Sequence, residues 1–225
     1  MKFNIFKNTS GQTLLESLLA ITVIVVGVVS LISLLVNARV SAEASLEEAV
    51  AGQIGRETIE AVRFIRDSNW LKREAGLGVN YYDGLRGGSD ADDYNGIYAW
   101  NPEGSAETAV LFDFTDNSIN DDSAIVYQDV MNYYRQSIIP QPGWVDTGFR
   151  RWVSLYPICF DTTTGLEYLL TSDGTNCAYD LEVGIQVIVQ VQWKGRAGLV
   201  HDRLIEDRLY NWKYPEGDDF SDVVF

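Results

Sequence analysis

A long apolar run near the N-terminus constrains this chain more than any other feature. Residues 18–36 are almost uniformly apolar, and Glu16 is the charged residue at the head of the run. At about 1.5 Å per residue, the run makes a helix of roughly 28 Å, which matches the hydrocarbon thickness of a bilayer. Because Lys2 and Lys7 precede the run and several glutamates follow it, an orientation with the N-terminus in the cytoplasm is favoured.

Several interpretations of this run compete. A cleaved secretory signal would end at Ala42, but the run is longer than the core of a signal peptide, which has about 7–15 residues. An ordinary membrane anchor fits the length but leaves Glu16 unexplained, because a charge inside a bilayer costs about 2.5–3.5 kcal/mol. A structural explanation also exists. Thr13 and Glu16 have the spacing of a helix-capping box, and an acid in the first turn suits the helix dipole.

A short motif leads into the apolar run. After a basic leader, residues 11–17 read Gly-Gln-Thr-Leu-Leu-Glu-Ser. This arrangement resembles the processing site of type IV prepilins. The resemblance implies that prepilin peptidase cuts between Gly11 and Gln12 on the cytoplasmic side and that Gln12 is then N-methylated. It makes Glu16 the fifth residue of the mature chain. The family more often has phenylalanine or methionine at the position of Gln12.

The resemblance also implies a role for Glu16 in assembly. Cleavage after Gly11 creates an ammonium on Gln12 with an ordinary pKa of about 7.7–8.0, and methylation keeps the charge. In a filament of bundled helices, Glu16 of one subunit would meet the ammonium of its neighbour, and low dielectric strengthens that attraction. The implied partners are other pilin subunits, prepilin peptidase, the inner-membrane assembly platform and, before assembly, membrane lipid.

The chain therefore divides into four segments. Residues 1–11 form the prepilin leader and residues 12–36 the hydrophobic transmembrane and assembly helix. Residues 37–70 form the amphipathic continuation of that helix, and residues 71–225 a β-rich head with an acidic C-terminal tail. The implied location is a single pass through the inner membrane with the head outside, followed by the cell-surface pilus. Apolar residues at helical spacing predict that the continuation packs on the sheet of the head; they are Leu46, Val50, Ile54, Ala61 and Ile65.

The head is expected to be rich in β-strands, so the fold class is α+β, with a long N-terminal helix on an antiparallel sheet. This layout resembles that of pilins. The clearest strand covers residues 183–193, where apolar and mostly polar residues alternate. Residues 76–107 are turn-rich and indicate a long loop, and residues 129–137 have the pattern of a short helix. Further strands are expected over residues 108–114, 124–127 and 149–160. Residues 199–212 are also expected to form a strand, although their pattern is compatible with a helix.

Charge and motif content exclude several function classes. The net charge of −15 repels phosphate backbones, so no nucleic-acid partner is expected. No phosphate loop, dinucleotide fingerprint or G-x-S-x-G motif is present, and His201 is the single histidine, so neither an enzyme nor a cofactor is predicted. The acidic stretches over residues 90–96 and 116–122 lack EF-hand spacing, so no metal site is predicted.

The chain has two cysteines, Cys159 and Cys177, and they do not form a C-x-x-C motif. Since the predicted topology places both outside the cytoplasm, where oxidation is permitted, we expect a disulfide between them. A bridge closing a loop of this length contributes about 3 kcal/mol in the chain-entropy model.

The resemblance implies a structural subunit of a type IV pilus or a related pseudopilus. The length and the long head loops favour a minor or specialised subunit. The alternative is a membrane-anchored extracytoplasmic binding or adhesin module that is not built into a filament. In that case the aromatic residues around the first head loop would form a sticky surface; they are Tyr81, Tyr82, Tyr94, Tyr98 and Trp100.

Overall fold

A computed structural model describes residues 10–85, 95–100, 110–113, 119–136, 142–170, 177, 181–195 and 198–211. For residues 10–12, 95–100 and 110–113 only the backbone is described. The predicted leader and acidic tail lie mostly or wholly outside these ranges. The helix α1 covers Ser10–Glu74, and a short 3₁₀ helix covers Asp122–Ala124. The strands are β1 (Asn95–Trp100), β2 (Val110–Asp113), β3 (Ile125–Gln128), β4 (Tyr134–Gln136), β5 (Val145–Asp161), β6 (Leu166–Leu169), β7 (Leu181–Lys194) and β8 (Val200–Tyr210).

The predicted long N-terminal helix is confirmed, and it ends at a glycine cap. The Leu77 N–H donates to Lys72 O at 3.1 Å and the Gly76 N–H donates to Arg73 O at 2.9 Å, which is the Schellman pattern. Gly76 has a φ of +76°, a conformation that glycine adopts without a steric cost. The chain forms two compact units, Met1–Glu47 and Glu48–Phe225, so α1 contributes residues to both.

The second unit, called the head below, is built on one antiparallel sheet. β5 is its central strand and pairs along most of its length with β7, which in turn pairs with β8. On its other side β5 pairs in succession with β3, β1 and β6. Phe149 of β5 lies opposite Trp193 of β7, and Trp193 lies opposite His201 of β8.

Residues of α1 from Glu48 onward pack on this sheet and confirm the α+β arrangement. Ile54 and Val62 are essentially inaccessible, and they join a core with Val187 and Val189 of β7. Gly55 lies at this contact, and a Cβ at that position would force Cδ1 of Ile205 to shift. A glycine that weakens a helix by propensity here allows the helix to approach the sheet.

Polar ties follow one another along the helix and β8. Arg203 Nη1 lies 2.9 Å from Glu48 Oε1. Further along, the Arg63 guanidinium bonds Asp207, and this hydrogen bond raises the pKa of Arg63. These ties show that β8 begins beside the start of the helical part of the head and runs alongside it. At the far end Arg66 Nη1 donates to the carbonyl oxygen of Tyr210 at 3.3 Å.

Three expectations need correction. Residues 129–136, the described part of the helix predicted over residues 129–137, do not form a helix, because the Asp129 carboxylate accepts the N–H groups of Met131 and Tyr133 and holds a turn that leads into β4. The loop predicted over residues 76–107 contains a strand, β1, which pairs with β2 and β5. Leu46 does not join the buried stripe of the helix, since its side chain is exposed.

Candidate functional site

Residues 13–36 present an apolar surface on all sides of the helix. In the unit that ends at Glu47, the leucine, isoleucine and valine side chains of this segment are between 49% and 72% exposed. A helix that is apolar around its whole circumference is stable in lipid or among other apolar surfaces. Among the residues that the structure describes, α1 is the one helix long and apolar enough to cross a membrane.

Polar side chains in this segment bond within the helix. The hydroxyls of Ser17, Thr22 and Ser30 each donate to the backbone carbonyl four residues earlier, at 2.9, 3.1 and 2.8 Å. Because lipid offers no water to bond, these internal hydrogen bonds lower the cost of placing hydroxyls in a dry environment. The hydroxyls of Ser17, Thr22 and Ser30 are therefore suited to a medium without water.

Glu16 lies in the second turn of α1 with an exposed side chain. Within the described part of the chain its carboxylate has no hydrogen-bond or ion-pair partner. Gln12 precedes it by four residues, a spacing that places two helical positions on the same face. The position that would carry a new N-terminal ammonium therefore shares a helix face with Glu16.

The proposed cleavage site lies at the start of the helix. Since α1 begins at Ser10, the peptide bond between Gly11 and Gln12 belongs to its first turn.

The alternative explanation of Glu16 as part of a capping box does not fit this structure. A capping box requires Thr13 at the N-cap, outside the helix, but the helix begins at Ser10 and its first turn contains no acid. Thr13 is an interior residue whose carbonyl oxygen accepts the Ser17 hydroxyl. The position of Glu16 is therefore not explained by capping of α1.

The two cysteines of the head lie at its sheet. Cys159, on β5, and Cys177 are bonded through their sulfur atoms, with their Cα atoms 5.5 Å apart. Both residues are buried. The bridge ties Cys177, which precedes β7, to the central strand of the sheet.

A buried arginine in the head was not predicted. Arg151 is fully inaccessible, and its guanidinium donates to Gln136 Oε1 at 3.0 Å and to Glu57 Oε2 at 3.4 Å. It thereby links β5, β4 and the helix. Alternation along β5 could have predicted this burial. Arg151, Val153 and Leu155 are alternate residues of the strand and therefore face the same side, where Val153 and Leu155 are buried.

A second buried pair fixes the turn between β3 and β4. Asp129 and Arg135 form an ion pair with both side chains nearly inaccessible. Burial alone raises the pKa of Asp129, but the N–H groups of Tyr133 and Met131 and the Arg135 guanidinium outweigh burial, so this pKa is lowered. Asn132 takes a φ of +66° inside the turn, a conformation that asparagine tolerates.

The remaining candidate residues do not come together at one place. His201 is exposed on β8, and its ring stacks on Trp193 with centroids 5.5 Å apart. Tyr81 is buried, so it does not contribute to a sticky aromatic surface. Tyr94 and most of the two acidic stretches lie outside the described residues. Among the residues that are described, no cluster of histidine, cysteine and acidic side chains is arranged to hold a metal ion.

Comparison of the chain with protein-family models, with curated proteins and with solved structures finds no match.

Proposed function

We propose that this chain is a structural subunit of a type IV pilus or a related pseudopilus, and a minor or specialised one. Prepilin peptidase removes residues 1–11, Gln12 becomes the methylated N-terminus, and residues 12–36 anchor the subunit in the inner membrane before assembly. The head lies outside the membrane. Residues 12–36 then bundle with those of other subunits in the filament.

The observation that carries this proposal is the apolar surface of residues 13–36 with one carboxylate at its head. Membrane anchoring alone accounts for the apolar side chains but not for Glu16, which costs free energy in lipid. Pairing with a cation of a second subunit accounts for both. Bundled apolar helices cover the exposed side chains, and the neighbour's ammonium neutralises Glu16.

Such a pair would fix the stagger between subunits. Two charges held in an apolar bundle attract strongly, but each is costly when it lacks a partner. A neighbour displaced by one helical turn, about 5.4 Å, would leave both charges stranded. The correct register is therefore the one that brings Glu16 to the ammonium of Gln12 in the next subunit.

Two measurements test the proposal. The intact mass of the chain in isolated filaments should correspond to loss of residues 1–11 and gain of one methyl group. Glu16→Ala should insert and be processed normally but should lower the amount of subunit in filaments at least about tenfold, the ratio that corresponds to about 1.4 kcal/mol.

The matched control is Glu47→Ala, which removes a carboxylate from the same helix outside the apolar run. This variant should enter filaments as the wild type does. A mature chain that begins at Glu43 would contradict the proposal, because it would identify residues 1–42 as a secretory signal. A processed chain that stays in the membrane and never enters filaments would indicate the anchored binding module instead.

A further inference from the structure

Several large apolar side chains are exposed at one end of the head. In the turn between β3 and β4 and at the start of β5, Val130, Met131 and Val145 are 75%, 70% and 63% exposed. At the hairpin between β7 and β8, Leu199 and Val200 are 65% and 55% exposed. Together with Tyr133, these residues are called the apolar rim.

Strand register places both parts of the rim at the same end of the sheet. β5 begins at Val145, four residues before Phe149, and Phe149 lies opposite Trp193 near the end of β7. The hairpin that follows β7 is therefore at the end where β5 starts. Arg203, close to the start of β8, bonds Glu48, so this is also the end at which α1 enters the head.

The larger part of the rim is held on a rigid support. The buried ion pair of Asp129 and Arg135 fixes the turn from below. The Arg135 guanidinium also lies over the rings of Tyr133 and Trp144, 5.9 and 6.0 Å from their centroids. Exposed apolar side chains on a mobile loop can fold inward, but this turn keeps Val130 and Met131 directed outward.

We propose that the apolar rim contacts the interfacial region of the bilayer that anchors the unassembled subunit. The inference rests on the proposed function, which supplies the membrane. The chain enters the head at the end that carries the rim, and residues 37–47 separate this entry from the segment that the proposed function places in lipid. Valine, leucine, methionine and tyrosine are side chains that an interface accepts. The net charge of −15 opposes anionic headgroups, so the rim meets zwitterionic lipid.

The test uses the full chain in phosphatidylcholine vesicles, with a nitroxide on the introduced cysteine of Met131→Cys. Because Cys159 and Cys177 are bonded to each other, the introduced cysteine is the only reactive thiol. The nitroxide at position 131 should collide with oxygen, which concentrates in lipid, more often than a nitroxide at position 166. It should collide with a water-soluble nickel chelate less often.

The matched control is Leu166→Cys, because Leu166 is 67% exposed but pairs with Asp161 at the opposite end of β5. A label at position 131 that meets the nickel chelate as often as the label at position 166 would overturn the inference. Protection of position 131 from both reagents would overturn it as well, since it would indicate contact with a second copy of the chain.

A third label, in Val29→Cys, separates failure of this inference from failure of the proposed function. Val29 belongs to the exposed apolar segment. High oxygen and low nickel collisions at position 29, with the opposite result at position 131, would leave the anchor in place and refute contact of the rim with lipid. A water-exposed label at position 29 would refute the anchor itself, and with it the basis of the inference.

Discussion

The two halves of α1 share one secondary structure but not one environment. Residues 13–36 expose apolar side chains around the whole helix, whereas residues 48–74 bury one face on the sheet and expose charged residues on the other. Neither half contains proline. The distribution of apolar residues around the helix, and not helix propensity, therefore determines which half needs a sheet and which half needs lipid or a neighbour.

The two halves of α1 differ in the stabilisation that their individual aliphatic side chains gain from burial. Ile54 and Val62 are buried by the protein's own sheet, and burial of such a side chain contributes about 1.5–3 kcal/mol. Ile24 and Val29 have the same chemistry but remain exposed. In the first half, the described residues of the chain do not supply this stabilisation.

Removal of the first half should have the largest effect on solubility. A chain that starts at Ala42 loses the exposed apolar segment and keeps the face that packs on the sheet. We expect it to remain in the supernatant without detergent and to unfold cooperatively, while the full chain requires detergent. Sedimentation and circular dichroism measure both properties. Aggregation of the shortened chain in native buffer would show that the half on the sheet also depends on an external partner.

Matched glycine substitutions compare the two halves directly. Gly55→Val should lower the free energy of unfolding of the head by about 1–3 kcal/mol, because the added atoms overpack against Ile205. Gly27→Val should leave head stability unchanged, since an added Cβ meets nothing within 4 Å. Thermal unfolding of both variants in detergent gives the comparison. Equal destabilisation would contradict the assignment of the two glycines to different environments.

Acid should produce the smallest effect, and it should act on the head alone. The pKa of Asp129 is lowered in the folded head, so its contribution to stability is present above its unfolded pKa of about 3.9 and is lost as pH falls through the folded value. The difference in unfolding free energy between wild type and Asp129→Asn should therefore shrink below about pH 4. Helicity of residues 13–36 in detergent should not follow this change. A difference independent of pH would contradict the role of the Asp129 charge.

Much of the fold follows from periodicity in the sequence. The alternation of Val187, Val189 and Val191 predicted β7, because one face of a strand repeats every second residue. The apolar run predicted the first half of α1. The point at which the buried face begins was harder to predict than the helix itself. Leu46 has the right spacing for the buried stripe, but it lies before Glu48, where the head begins, and is exposed.

Contacts between distant residues were not predictable in the same way. The segment over residues 129–137 looked helical, but Asp129 bonds the backbone of its own turn and pairs with Arg135. The burial of Arg151 depends on Gln136 and Glu57, which accept hydrogen bonds from its guanidinium and lie far from it in the sequence. The roles of Gly11, Gln12 and Glu16 came from resemblance to a family, and they stay predictions.

The polar ties between the helix and β8 have a mechanical consequence. Glu48, Arg63 and Arg66 follow one another along the helix, and their partners follow one another in the same direction along β8. A pull on the helix along its axis therefore loads these ties simultaneously, in shear, whereas a peeling force would open them one after another. In the filament that we propose, a subunit under tension would resist extraction of its helix better than detachment from the side.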